Sequence, residues 1–155
     1  MPDVTDPALP VPPSAGTGES IRFRSAEDRD TEALVSLWEA CGLTRPWNDP
    51  RKDIAFARSG PSSDVLVGDA GGVLAASVIV GHDGHRGAVY YVSVSPARRG
   101  EGLGRAVMAA AEDWLRARGV WKLNLLVRKT NAGVMGFYDE LGYKDSDTVS
   151  LQKAL

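Results

Sequence analysis

Three glycines at alternating positions, Gly100, Gly102 and Gly104, lie between a strand-like run and a helix-like run. The stretch reads SVSPARRGEGLGRAVMAAAEDWL over residues 93–115. The first amides of a helix have no intrahelical acceptor, and the helix dipole is positive at that end. Glycines allow an anion to approach those amides and permit a positive φ. Because arginines flank the row, the sequence predicts a site for a phosphate or pyrophosphate.

Two common phosphate-binding motifs do not fit this row. A dinucleotide fingerprint and a P-loop that start at Gly100 both require glycine at position 105, which is Arg105. The P-loop then needs Lys followed by Ser or Thr, whereas the chain continues with Ala106 and Val107. Both motifs are therefore excluded at this position.

The pattern around the row predicts alternating strands and helices. Residues 21–26 alternate apolar and charged side chains, as in a half-buried strand. Leu34, Leu37, Trp38 and Cys41 follow helical spacing. Further elements are predicted as three strands within 64–94, a helix over 102–118, a strand over 120–127, helices beginning near Pro50 and at Thr130 or Asn131, and a final strand or hairpin over 143–155. The order β-αα-βββ-α-β-α-β implies some parallel pairing.

Length and composition narrow the class of protein. A chain of 155 residues fits one domain. The proline-, serine- and glycine-rich residues 1–20 predict a disordered tail, which leaves 21–155 as the domain. A net charge of -2 argues against nucleic acid as a partner, and the sequence has no apolar run that approaches the ~20 residues of a membrane span. One cysteine fits a cytoplasmic location, and the absence of zinc-type Cys/His spacing predicts no metal.

The row and its surroundings resemble one known family. Residues 99–104, RGEGLG, are similar to the R/Q-x-x-G-x-G/A signature of the GNAT N-acetyltransferases. The preceding VSVSPARRG and the later NAGVMGFYDELGY resemble that family's fourth strand and its Asn…Tyr helix. Within the family, CGLTRPWNDPRKDI and GHDGHRGAVYYVSVSP resemble the bacterial YpeA-like branch. The resemblance implies an α/β fold in which about four helices flank a mixed, twisted sheet of six or seven strands.

The resemblance also implies a reaction and a set of residues. Acetyl-CoA would be the donor, and an acceptor amine would attack its thioester directly. By the motif, Tyr138 is the expected general acid that protonates the departing thiolate. The expected cofactor-binding residues are Val92 and Val94 through their backbone, Asn131, and the pyrophosphate cradle of Arg99, Gly100, Glu101, Gly102, Leu103, Gly104 and Arg105.

The general base is left open by the sequence. Many family members use a glutamate on or near the fourth strand, but GAVYYVSV contains no carboxylate. Asp49, Asp83, His82 and His85 are candidates by their positions in loops, and a water relay is an equal alternative. The residues expected to recognise a small-molecule or peptide amine are Arg45, Trp47, Asn48, Asp49 and Arg86.

Structural roles compete with several of these assignments. Tyr138 lies on an apolar stripe and is also a candidate for core packing. Asn131 and Asp49 are also candidates for helix caps. The missing strand carboxylate keeps a second function open, a non-catalytic acyl-CoA-binding sensor or structural module. The resemblance is also compatible with a homodimer.

Overall fold

The computed structural model describes residues 20–155, so the predicted tail, apart from Ser20, lies outside the described residues. The helices and strands follow the predicted order up to the fourth helix. They are β1 (Arg22–Ser25), α1 (Thr31–Ala40), α2 (Pro50–Arg58), β2 (Ser63–Ala70), β3 (Val73–His82), β4 (Gly87–Val94), α3 (Leu103–Arg116), β5 (Leu123–Asn124) and α4 (Ala132–Glu140).

The five strands form one sheet in the order β1-β2-β3-β4-β5. Neighbours from β1 to β4 are antiparallel, and β5 pairs with β4 in parallel. The crossover between those two strands contains α3, as parallel pairing requires. The predicted mixed α/β fold is confirmed.

The predicted strand count of six or seven is wrong for the described residues, which contain five strands. The difference lies in the final segment, because residues 143–155 form no strand. Asp147 has a φ of 54°, and its amide donates to the Asp145 side chain at 2.8 Å. This turn interrupts the alternating pattern of the segment. In addition, β5 is paired over only two residues and offers no long ladder for a further strand to extend.

Helices cover both faces of the sheet. Val65 and Val67 of β2 pack with α1 and α2, whereas Leu66 between them packs with α3 and α4. Successive strand residues point to opposite faces, so a strand covered on both sides becomes a continuous apolar run. The two cores pack the sheet between the helix pairs, and the site described below forms where β4 and β5 separate.

The helix boundaries follow from local chemistry. The Asp49 carboxylate accepts the Arg51 amide at 3.0 Å, and Pro50 occupies the first turn of α2, as predicted. Gly119 follows α3 with a φ of 79°. None of the helices in residues 20–155 is long and apolar enough to cross a membrane.

Gly87 is required where α3 crosses β4. A Cβ atom at this position would lie 2.5 Å from Cδ1 of Leu115, which is buried in the core. We expect Gly87→Ala to lower the free energy of unfolding by about 1–3 kcal/mol through overpacking. Gly60→Ala is the control, because nothing lies within 4 Å of its added methyl group. Equal stability of the two variants in urea unfolding would contradict this account.

Candidate active site

A β-bulge in β4 shapes the site. Ser93 pairs with Ser77 of β3, and Tyr90 pairs with Ile79, so Tyr91 and Val92 together oppose the single residue between them. Tyr91 has a φ of 52°, a left-handed conformation that costs a residue with a Cβ about 1–3 kcal/mol. A bulge bends a strand and re-aims its side chains and backbone groups.

Side-chain contacts hold this strained residue in place. The Tyr91 ring stacks on the ring of Trp38 in α1, with centroids 3.9 Å apart and an interplanar angle of 11°. Trp38 is fully buried, and its Nε1 donates to Ser77 Oγ at 2.8 Å. The Ser77 and Ser93 hydroxyls lie 2.7 Å apart, so they tie together the residue pair that borders the bulge.

The Tyr91 hydroxyl is anchored to α2. It donates a hydrogen bond to Asp53 Oδ2 at 2.8 Å. Burial, and then the hydrogen bond to Asp53, raise the pKa of Tyr91 to about 12. The phenol is therefore protonated at neutral pH and acts as a donor toward the carboxylate.

Beyond the bulge, β4 and the chain after β5 separate. Only Gly87 and Ala88 of β4 pair with β5. A cavity of about 870 Å³ opens along the diverging segments. Its walls include Val89–Val92 from one segment and Leu125–Val127 from the other. No residue of β3 or β5 is paired with Tyr91 or Val92, so their backbone lies along a gap in the sheet.

The segment from β5 to α4 contributes polar groups to the same cavity. Asn131 precedes α4, and its side chain makes no capping hydrogen bond. Tyr138 lies about two turns further along α4, packed edge-on against Phe137 and Tyr143 with centroids 5.0 and 5.7 Å away. Burial raises the pKa of Tyr138 to about 12, so the hydroxyl is a proton donor at neutral pH.

The glycine row forms a turn with two left-handed residues before α3. Gly100 and Gly102 have φ values of 82° and 78°. At the start of α3, the Ala106 amide donates a hydrogen bond to the Gly102 carbonyl at 3.0 Å. The three preceding amides lie in the open first turn of α3, where an anion is favoured by the dipole. The Arg98 side chain holds Glu101 at 2.8 Å, beside the turn.

The structure brings part of the predicted set together at the cavity. Val92, Asn131 and Tyr138 line it, as do the predicted acceptor residues Arg45, Trp47 and Asn48. Val94 does not line it and is fully buried, with its carbonyl accepting from Cys41 Sγ at 3.2 Å. The glycine row lies outside this lining, between the end of β4 and the start of α3.

The two carboxylates predicted as bases lie elsewhere. Asp49 caps α2 through the Arg51 amide and is absent from the cavity wall. Asp83 lies in the hairpin between β3 and β4, where the amides of Arg86 and His85 hold its pKa below the ordinary value. His82, His85 and Arg86 also lie outside the lining. Asp49 therefore lies at the start of α2, and the other four residues lie in or next to the hairpin between β3 and β4.

Sequence reasoning missed Asp53 and Tyr91. Asp53 is the one carboxylate among the residues that line this cavity in the described part of the chain. A weak signal exists, because Asp53 precedes the buried Ile54 and lies one turn from the buried Ala57, at the border of the apolar face of α2. No signal marks Tyr91, since a bulge at a non-glycine residue leaves no trace in an apolar strand. Within residues 20–155, no group of three or more His, Cys, Asp and Glu residues could hold a metal ion.

Comparison with known proteins identifies the family. The model of the acetyltransferase (GNAT) family matches residues 30–143, about three quarters of the chain. The chain belongs to the GNAT acetyltransferase family. A GNAT acetyltransferase is an acyltransferase, so the protein is assigned to that class of enzyme.

Relatives of this GNAT protein agree with the assignment. An acetyltransferase of Yersinia enterocolitica is 42% identical over 135 residues, which cover 87% of this chain and 96% of the relative. The fold is similar to AAC(6')-Iy in complex with the bisubstrate analogue CoA-S-monomethyl-acetylneamine, with a TM-score of 0.74, 14% identity and coverage of 87% and 98% of the two chains. It is also similar to a Clostridium acetobutylicum protein solved with acetyl-CoA, with a TM-score of 0.68, 15% identity and coverage of 85% and 96%. The narrower resemblance to the YpeA-like branch stays a prediction.

The buried side chain of Tyr138 makes the stability of this GNAT protein sensitive to alkaline pH. Because its pKa in the folded state is about 12, above the value of about 10 for an exposed tyrosine, the folded state keeps the proton more tightly. The stabilisation is complete below pH 10 and is lost as the pH rises toward 12, by up to about 2 kcal/mol. We expect Tyr138→Phe to lose less stability than the wild type over this interval in urea unfolding at fixed ionic strength. Parallel curves for the two proteins would contradict the assigned pKa.

Proposed function

We propose that the protein transfers an acetyl group from acetyl-CoA to a primary amine in a ternary complex. The single observation that carries this proposal is the cavity at the bulge of β4, which joins the Val92 backbone, the Tyr138 hydroxyl and the α1–α2 segment. Such a cavity admits a donor and an acceptor side by side. Direct transfer needs both reactants held in contact.

The glycine row fits the diphosphate of acetyl-CoA. The positive φ values of Gly100 and Gly102 present successive backbone groups on one side of the turn, and the α3 dipole adds positive potential there. In this proposal Arg99–Arg105 form the cradle, and Asn131 contacts the cofactor from the start of α4. Acetyl-CoA supplies the thioester, and the residues of this chain orient it.

The roles proposed for the protein groups follow from their chemistry. In this proposal the Val92 amide donates to a carbonyl oxygen in the cavity, which is supported by its position along the gap between β4 and the chain after β5. Tyr138 carries its proton at neutral pH and is available as the acid for a departing thiolate. We propose Asp53 as the general base in place of Asp49 and Asp83, because it is the only one of the three that lines the cavity.

The sensor alternative rests on the missing carboxylate in β4. Asp53 weakens that alternative, since α2 places a carboxylate at the bulge from outside the strand. A sensor would bind acetyl-CoA without accelerating its cleavage when an amine is added. A cytoplasmic location and a homodimer also remain predictions.

Binding of acetyl-CoA is the first test of this proposal. A ligand that binds only the folded state raises the free energy of unfolding by about 2.7 kcal/mol at a hundred times its dissociation constant. We expect Gly102→Glu to abolish this stabilisation, because a carboxylate would fill the cradle with negative charge. Gly119→Glu is the matched control, since Gly119 has a φ of 79° at the other end of the same helix and nothing within 4 Å. An equal response of both folded variants to acetyl-CoA would remove the support for the cradle.

The acid role of Tyr138 is tested by turnover. We expect Tyr138→Phe to lower kcat about a hundredfold, with little change in the dissociation constant of acetyl-CoA, because general acid catalysis contributes roughly 10²–10⁴-fold. Tyr143→Phe is the control, since that hydroxyl donates to Glu112 at 2.6 Å and does not line the cavity. Wild-type kcat in Tyr138→Phe across the pH range would assign the residue to packing alone.

A further inference from the structure

The acceptor half of the cavity carries one charge of each sign. This half is formed by residues 41–57, from the end of α1 through α2. Among the described residues that line it, Asp53 is the one anion and Arg45 the one cation. The other cavity cation, Arg128, lies with Asn131 in the segment between β5 and α4.

Asp53 offers an oxygen to a cationic amine. Its Oδ2 accepts the Tyr91 hydroxyl at 2.8 Å, whereas its Oδ1 accepts no hydrogen bond within the described residues. Asp53 makes no ion pair within the described residues, and the nearby Arg51 pairs with Glu32 at 2.6 Å instead. A half-buried carboxylate next to the bulge therefore lies open to a charged donor that enters the cavity.

Arg45 is fixed in position but has no carboxylate partner among residues 20–155. Its Nη1 donates to the carbonyls of Gly42 and Thr44, both at 2.8 Å. The remaining guanidinium donors, Nε and Nη2, form no hydrogen bond within the described part of the chain. The positive charge of Arg45 opposes the rise in the pKa of Tyr91, as expected for a cation that shares the cavity wall with this tyrosine. A guanidinium with a free edge suits a carboxylate ligand.

Two aromatic side chains complete the mouth of this half. Trp47 and Phe56 line the cavity, yet they are 75% and 78% exposed. No other described part of the chain covers most of their apolar surface. An apolar group on the acceptor would cover part of it and gain about 25 cal/mol for each Å² removed from water.

We propose that the acceptor is a free α-amino acid with an aromatic or large apolar side chain. Its ammonium group binds Asp53, its carboxylate binds Arg45, and its side chain packs on Trp47 and Phe56. This inference rests on the proposed function, because it names the acceptor class for the same cavity.

The transfer balances with these groups. The ammonium gives one proton to the Asp53 carboxylate, and the freed nitrogen forms a bond to the acetyl carbon. The bond from that carbon to sulfur breaks, and the thiolate takes the Tyr138 proton. The nitrogen loses its second proton, which returns to the tyrosinate through water, and Asp53 releases its proton to solvent. The products are the N-acetyl amino acid, CoA thiol and one proton.

Three matched acceptors test the carboxylate requirement. L-phenylalanine, L-phenylalaninamide and 2-phenylethylamine share the ring and the primary amine but differ in the carboxylate. With the full chain and saturating acetyl-CoA, release of CoA thiol gives kcat/KM for each. We expect L-phenylalanine to exceed the other two by about tenfold or more, the usual worth of a hydrogen bond to a charged group. Equal or higher kcat/KM for the amide or the amine would overturn the proposal.

Variants assign the preference to Arg45. Arg45→Met should remove the advantage of L-phenylalanine, measured as the ratio of its kcat/KM to that of 2-phenylethylamine, and Arg45→Lys should restore part of that ratio. Arg51→Met is the control, because Arg51 is paired with Glu32 outside the cavity lining. Asp53→Asn should lower kcat/KM for all three amines. A preference for L-phenylalanine that survives Arg45→Met would overturn the assigned contact.

The outcome separates this inference from the proposed function. Stabilisation by acetyl-CoA together with faster transfer to 2-phenylethylamine would retain N-acetyltransfer and reject the amino acid acceptor. Stabilisation without thiol release for any of the three amines would also reject it. Absence of stabilisation by acetyl-CoA would instead count against the proposed function itself.

Discussion

The stack of Tyr91 on Trp38 is the contact on which the site depends. A left-handed residue in the middle of a strand is costly, and it persists only where the surroundings hold it. Here the buried indole supplies a flat surface at 3.9 Å, and the serine pair below it fixes the strand register. The bulge bends β4 away from the chain after β5, and the cavity follows from that separation.

The same contact ties β4 to the two helices on one face of the sheet. Trp38 belongs to α1, and the Tyr91 hydroxyl reaches α2 through Asp53, so these helices form one wall of the cavity. The helices on the other face supply the glycine turn and Tyr138. The cavity therefore lies between helices of both faces, at the point where β4 bends.

Several parts of this arrangement were predictable because they depend on neighbours in sequence. The Asp49–Pro50 start of α2, the glycine turn before α3 and the apolar face of α1 all follow from local capping, φ preference and periodicity. The absence of a strand in residues 143–155 was not predictable, because the sequence pattern of a segment does not show whether a sheet edge is available to pair with it. That edge is short here, and the Asp145 turn interrupts the segment. The base candidates were placed in loops for lack of a carboxylate in β4, whereas α2 brings Asp53 to that strand from 38 residues away.

The sequence by itself determined the α/β class, the order of elements up to α4, the glycine turn before α3 and the family resemblance. These properties reside in short-range pattern, where backbone preference and side-chain period act over a few residues. Only the tertiary structure decided the bulge at Tyr91, the extent of the cavity and the pairing of Asp53 with the Tyr91 hydroxyl. Each of these depends on packing between elements distant in the chain, and a strained residue is tolerated only when that packing outweighs its cost.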